Sequence, residues 1–159
     1  MSELYTDFAH TIVFLHILSA FVWVGGMIAI RLAVHPTMQS IEEPKIKLGK
    51  TLMLVGRFFH LVIPFIVLIF VTGLIMAVAL KGHHGGQKMI FMLKESIWVV
   101  MAANFSWMYF KRRKAQRLFD QGMMGEAKDT VALIPKLLLP INILLGVVAL
   151  WLGVTLRGL

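Results

Sequence analysis

The sequence predicts an all-α integral membrane protein, a single domain (1–159) built as a four-transmembrane-helix up-down-up-down bundle with both termini on the outer side. Composition is the first reason. Of 159 residues, 58% are apolar and 15% charged, and mean hydropathy is +0.81; an ordinary soluble domain has roughly a quarter of its residues charged. Length is the second. Four apolar runs each reach the roughly 20 residues that a helix needs to cross a bilayer. The third is charge placement: twelve of the sixteen Lys and Arg residues fall in the first and third connections, which the positive-inside rule puts in the cytoplasm.

The first span is expected at 8–30, an uncharged run long enough to cross rather than to act as a cleaved signal. Pro36 and Pro44 are expected to end this helix and punctuate the loop after it, because proline lacks an N–H and its ring clashes with the preceding turn. That connection carries Arg31, Lys45, Lys47, Lys50 and Arg57. The second span is expected at 58–80. The glycine-rich stretch 81–88, with His83 and His84 at its centre, fits a tight turn between antiparallel helices. The third span, 89–110, is less clean because it carries Lys94 and Glu95 near its start. After it come Lys111, Arg112, Arg113, Lys114, Arg117, Lys128 and Lys136, with 116–128 expected as a short amphipathic piece on the inner membrane surface. The fourth span is expected at 137–156. Together these features place the chain, multi-pass, in a bacterial-type inner membrane.

Several chemistries are excluded at once. With no cysteine, the chain has no disulfide, zinc ribbon, iron–sulfur cluster, thiol catalysis or covalent c-type haem attachment. A net charge of +8 would suggest nucleic acid in a soluble protein. Here the positive residues flank apolar runs, so topology explains them and no nucleic-acid partner is expected.

An ionisable residue within a span is costly and marks a candidate site. His16, His60, Lys94 and Glu95 qualify. At about 1.5 Å of rise per residue, His16 lies roughly 6 Å to the outer side of a first helix centred on Ala20. Lys94 lies about 9 Å to the outer side of a third helix centred on Val100. The two share a level. His60 lies about 12 Å to the inner side of a second helix centred on Leu68, too far from His16 to share one metal easily.

Faces sharpen the candidates. His16, Ser19, Trp23 and Gly26 form one stripe on the first helix. An imidazole, a hydroxyl, an indole and a glycine on one face suit a flat ligand, the glycine admitting a ring or a neighbouring backbone. Lys94, Trp98, Met101, Phe105 and Met108 share a stripe on the third helix, an aromatic and methionine wall of the kind that lines a porphyrin pocket. On the fourth, Asn142, Gly146, Ala149 and Gly153 form a small-residue stripe suited to helix packing, within the bundle or in a homodimer. The competing reading of each polar residue is structural: His16 bonding across the bundle, Lys94 reaching out to the headgroups. His10, His83 and His84 form a weaker outer cluster for copper or zinc, and His35 a distant companion for His60.

The run Leu15-His-Ile-Leu-Ser-Ala-Phe-Val-Trp23-Val-Gly-Gly26, followed by Arg31-Leu-Ala-Val-His35, resembles the first helix of HemJ-type membrane proteins and of the related CopD-like copper-resistance domains. A histidine followed seven residues later by tryptophan is characteristic of the HemJ-type helix, and Leu93-Lys94 is similar to the lysine that recurs near the start of their third helix. That resemblance implies haem b, with His16 and Lys94 as the haem-associated positions, and an association with protoporphyrinogen IX oxidation. The CopD-like side implies copper transport or tolerance. Glu95 and Asn104 depart from the HemJ-type pattern, and His60 has no counterpart in it.

The expected function is therefore that of a membrane-integral b-type haem protein, cytochrome b-like, which transfers electrons and exchanges them with the quinone pool. One haem b, or two if His60 also ligates, is the expected cofactor. His16, His60 and Lys94 are the candidate metal-associated residues, and Ser19, Trp23, Gly26, Trp98 and Met101 the candidate pocket. A HemJ-like protoporphyrinogen IX oxidase, with a porphyrinogen as its substrate, and a CopD-like copper protein are the alternatives.

Overall fold

The computed structural model describes residues 2–79 and 88–156; most of the expected glycine-rich turn, with His83 and His84, lies outside them. The described chain is all-helical. Four helices are long and apolar enough to cross a membrane: α1 (Asp7–Gln39), α2 (Pro44–Ala79), α3 (Lys88–Asp120) and α4 (Met124–Thr155). They run 33, 36, 33 and 32 residues, so each outlasts the roughly 20 residues that the hydrocarbon requires.

Proline does less to end these helices than the sequence implies. Pro36 was the expected stop for α1, yet the helix continues through it to Gln39. A π-helical turn at Ile30–Val34 precedes it. The wider turn relieves the clash that the ring makes with the carbonyl behind it, so Pro36 sits in the first turn of a renewed segment. Pro135 falls in a similar wide turn at Ile134–Leu138, and Pro140 in the first turn after it. Pro44 opens α2, where its missing N–H is not needed.

The amphipathic piece expected at 116–128 is not a separate element. Its first residues prolong α3 to Asp120, and its last belong to α4, which starts at Met124. An i,i+4 chain on α3 explains the extension: Arg112 Nη2 donates to Gln116 Oε1 (3.1 Å), and Gln116 Nε2 donates to Asp120 Oδ1 (2.9 Å). Gly122, at φ 81°, then turns the chain where an L side chain would be strained.

Packing separates an interior from an apolar exterior. Trp23, Met27, Phe59, Val62, Met101, Phe105, Met108 and Leu139 fill the main core. Phe105 stands edge-on to both Trp23 (centroids 6.2 Å) and Phe59 (5.0 Å), the arrangement that ring quadrupoles favour. A smaller cluster of Leu52, Ala115 and Ala127 ties α2, α3 and α4 at the other end. Phe14, Phe21, Leu32, Leu144 and Trp151 are among many large apolar side chains left exposed. Such a surface suits lipid as solvent and would aggregate in water.

Small residues set how closely the helices approach. On α4, a Cβ at Gly146 would strike Val24 of α1 and crowd Met101 of α3. Beside it, Asn104 Nδ2 donates to Leu138 O (2.8 Å) and Asn142 Oδ1 (2.7 Å), while Asn142 Nδ2 donates to Met101 O (3.1 Å). Asn142 is fully buried. Side-chain amides bridging helices in this way are the polar glue of membrane bundles.

Candidate functional site

The site begins with His16. Its Nδ1 lies 2.9 Å from Thr72 Oγ1 on α2. The threonine hydroxyl has one hydrogen, and it donates that to Leu68 O (2.7 Å) one turn back on its own helix. Thr72 therefore accepts, and His16 Nδ1–H donates. This tautomer leaves the lone pair on Nε2, the arrangement in which an imidazole binds a metal while its other nitrogen is held by a protein acceptor. Gly73 completes the seat: a Cβ there would lie 3.4 Å from His16 Cε1, so the ring rests against backbone.

Ser19 is fully buried, and its Oγ donates to Leu15 O at 2.7 Å. Trp23 is 1% exposed, and its Nε1 is buried with no hydrogen-bond partner among the described residues. Trp98 on α3 shares that condition at its own Nε1, while its ring stacks on Phe70 of α2 at 4.6 Å. Buried indole N–H groups usually find an acceptor. Two such donors without one are a chemical feature to be explained.

Lys94 is half-buried, and its Nζ reaches α4, where a Cβ at Gly153 would lie 3.2 Å away. The contacts Gly56–Arg112 and Phe70–Trp98 set α2 against α3 with residue numbers running oppositely. Counted from the Phe70–Trp98 stack at about 1.5 Å per residue, Lys94 and Thr72 fall within about 3 Å of each other along the bundle. His16 and Lys94 thus fall at neighbouring levels of α1 and α3, with His16 turned to α2 and Lys94 to α4.

Other candidates go elsewhere. Met101 is core, pressed against Gly146. Gly26 does admit a ring, but the ring is the chain's own Phe58, which leaves no room for a Cβ. His60 is exposed; its Nδ1–H donates to Gly56 O at 2.8 Å and its ring stands edge-on to Tyr109. It lies twelve residues from Thr72 on α2, about 18 Å along the helix, so His16 and His60 are not brought together. His35 meets Gln39 on its own helix, and His10 is exposed. Among the described residues no group of three or more His, Cys, Asp or Glu could hold a metal ion.

Thr72 escaped the sequence reading, although the depth arithmetic that located His16 also puts Thr72 about 6 Å to the outer side of Leu68. Arg112 escaped it too. Its guanidinium lies over Gly56, and its Nε donates to Leu52 O at 3.0 Å. No family model matches the chain, and no curated protein and no solved structure matches it either.

The site thus gathers His16, held at Nδ1 by Thr72, with the buried indole N–H groups of Trp23 and Trp98, which find no acceptor among the described residues.

Proposed function

We propose that this chain is a membrane-integral b-type haem protein, cytochrome b-like, that transfers electrons and exchanges them with the quinone pool. The carrying observation is the His16–Thr72 hydrogen bond. The contact is the cross-bundle bond that the structural reading of His16 also expects, and it is at the same time the kind of bond that holds the ring of a metal-ligating histidine in one orientation. His16 would be the axial ligand, and Lys94 a second ligand or the partner of a propionate. Haem, when bound, supplies the one-electron chemistry, while the protein sets position, dielectric and access.

The same reading gives the bundle its sense in the membrane. Touching residues run in opposite order along neighbouring helices: His16 with Thr72 and Gly26 with Phe58, Gly56 with Arg112 and Phe70 with Trp98, Lys94 with Gly153 and Asn104 with Leu138. These pairs support an up-down-up-down arrangement, and the positive connections support cytoplasmic placement of the α1–α2 and α3–α4 turns. Both termini then lie outside a bacterial-type inner membrane.

The test is purification in mild detergent, with oxidised and dithionite-reduced visible spectra and haem quantified per chain. A b-type reduced α-band at about one haem per chain supports the reading. A protein that stays colourless when expressed with excess haem overturns it.

A further inference from the structure

A second feature lies away from His16, on the lipid-facing seam of α1 and α2. A cavity of about 830 Å³ opens there, walled by Phe21, Phe58 and Leu61, floored by Gly25 and Gly26, with Arg57 and Leu54 towards its inner end. Its floor has two different glycines. Gly26 is covered by the Phe58 ring, whereas at Gly25 a Cβ would meet only the Phe21 ring, at 3.9 Å. Gly25 therefore keeps the groove deep without being needed for packing. The backbone above it is the π-helical turn Phe21–Gly25, and such turns recur where a helix surface is shaped for a ligand.

Depth identifies what the groove fits. Arg57 lies eleven residues before Leu68, about 16 Å from the bilayer midplane, at the level where hydrocarbon gives way to headgroups. Phe21, at the far end, is one residue from Ala20, the level taken for the bilayer midplane on α1. The groove thus runs from headgroup to midplane, the length of one acyl chain in one leaflet. Arg57 is exposed and is the charged residue of the cavity lining. A guanidinium group at the mouth of an apolar channel one leaflet long complements a phosphate-headed lipid.

We propose that this groove is a binding site for an anionic phospholipid of the inner leaflet, its phosphate held by Arg57 and one acyl chain lying over Gly25. The proposal rests on the membrane-spanning fold and is independent of haem.

The experiment adds dioleoyl phosphatidylglycerol or dioleoyl phosphatidylcholine to the delipidated protein in detergent. Bound lipid is read by native mass spectrometry, and stabilisation by the thermal unfolding midpoint. Wild type should bind phosphatidylglycerol in preference. Arg57→Gln should weaken phosphatidylglycerol by about fivefold, the worth of one basic residue near an anionic headgroup. Gly25→Leu, which the free space tolerates, should block the groove and abolish stabilisation by the lipid while leaving the lipid-free midpoint near wild type. Equal binding of the two lipids by wild type, or an unchanged preference in both variants, overturns the site. So does a dimer that persists without lipid and is lost in Gly25→Leu, which would make the groove a seat for a second copy.

Discussion

His16 on α1 and Thr72 on α2 are 56 residues apart in sequence and 2.9 Å apart at Nδ1 and Oγ1. Because the Thr72 hydroxyl donates to Leu68 O, the pair has a direction: histidine gives, threonine receives, and threonine passes its own hydrogen to the helix backbone.

Thr72→Val keeps the shape and removes the acceptor. His16 Nδ1–H is then left in the bundle without that partner, which costs about 1–3 kcal/mol. Haem affinity should fall by about 10–100-fold, the usual penalty for losing a hydrogen bond behind a metal-ligating histidine. Thr72→Ser should restore most of both. Haem titration of apoprotein and the detergent unfolding midpoint check this, and a Thr72→Val protein with wild-type affinity would speak against the hydrogen bond as the orienting contact.

Gly56 and Arg112 form a second pair that the chain depends on. A Cβ at Gly56 would fall on the guanidinium, so Gly56→Ala should destabilise by about 1–3 kcal/mol, as other overpacked sites do. Arg112→Ala loses the bond to Leu52 O but frees the space. In the double variant the alanine methyl no longer has a guanidinium to strike, so the two losses should be less than additive. A double-mutant cycle on unfolding measures this, and full additivity would contradict the contact.

Asn104→Ala removes both donors that reach Leu138 O and Asn142 Oδ1. Cross-helix hydrogen bonds in membrane proteins are worth about 0.6 kcal/mol on average and up to about 1.7. The loss should sit near the upper end, since one side chain serves two acceptors. Unfolding in mixed micelles checks it, and no change would mean that the network adds nothing.

The absence of cysteine makes orientation directly measurable. Asp7→Cys and Gln121→Cys each introduce one thiol at an exposed position. A membrane-impermeant maleimide should label the first in intact spheroplasts and the second only after the membrane is opened. The reverse pattern would invert the proposed topology.

The helices were legible because each apolar run is long and nearly uncharged, and because lipid demands that a spanning backbone satisfy itself. Their ends were not. Pro36 reads as a stop only if the turn before it is an ordinary one, and nothing in Ile30–Val34 announces a wider turn. The stripe of His16, Ser19 and Trp23 followed from helical spacing. Its companion Thr72 did not, since a threonine among valines and isoleucines looks like one more β-branched core residue until depth is counted from Leu68. Arg112 was hidden by its neighbours: in the basic run 111–114 every residue reads as a topology signal, and only the bare backbone at Gly56 shows that one of them turns inward.

The central claim is that the imidazole of His16 is the metal-ligating group of this fold, and one measurement reaches it most directly. His16→Gly is purified, and its reduced-minus-oxidised spectrum is recorded with and without added imidazole. The account predicts that the variant loses the b-type α-band and that free imidazole, entering the space the side chain left, restores it. A His16→Gly protein whose spectrum and haem content match wild type without imidazole would contradict it.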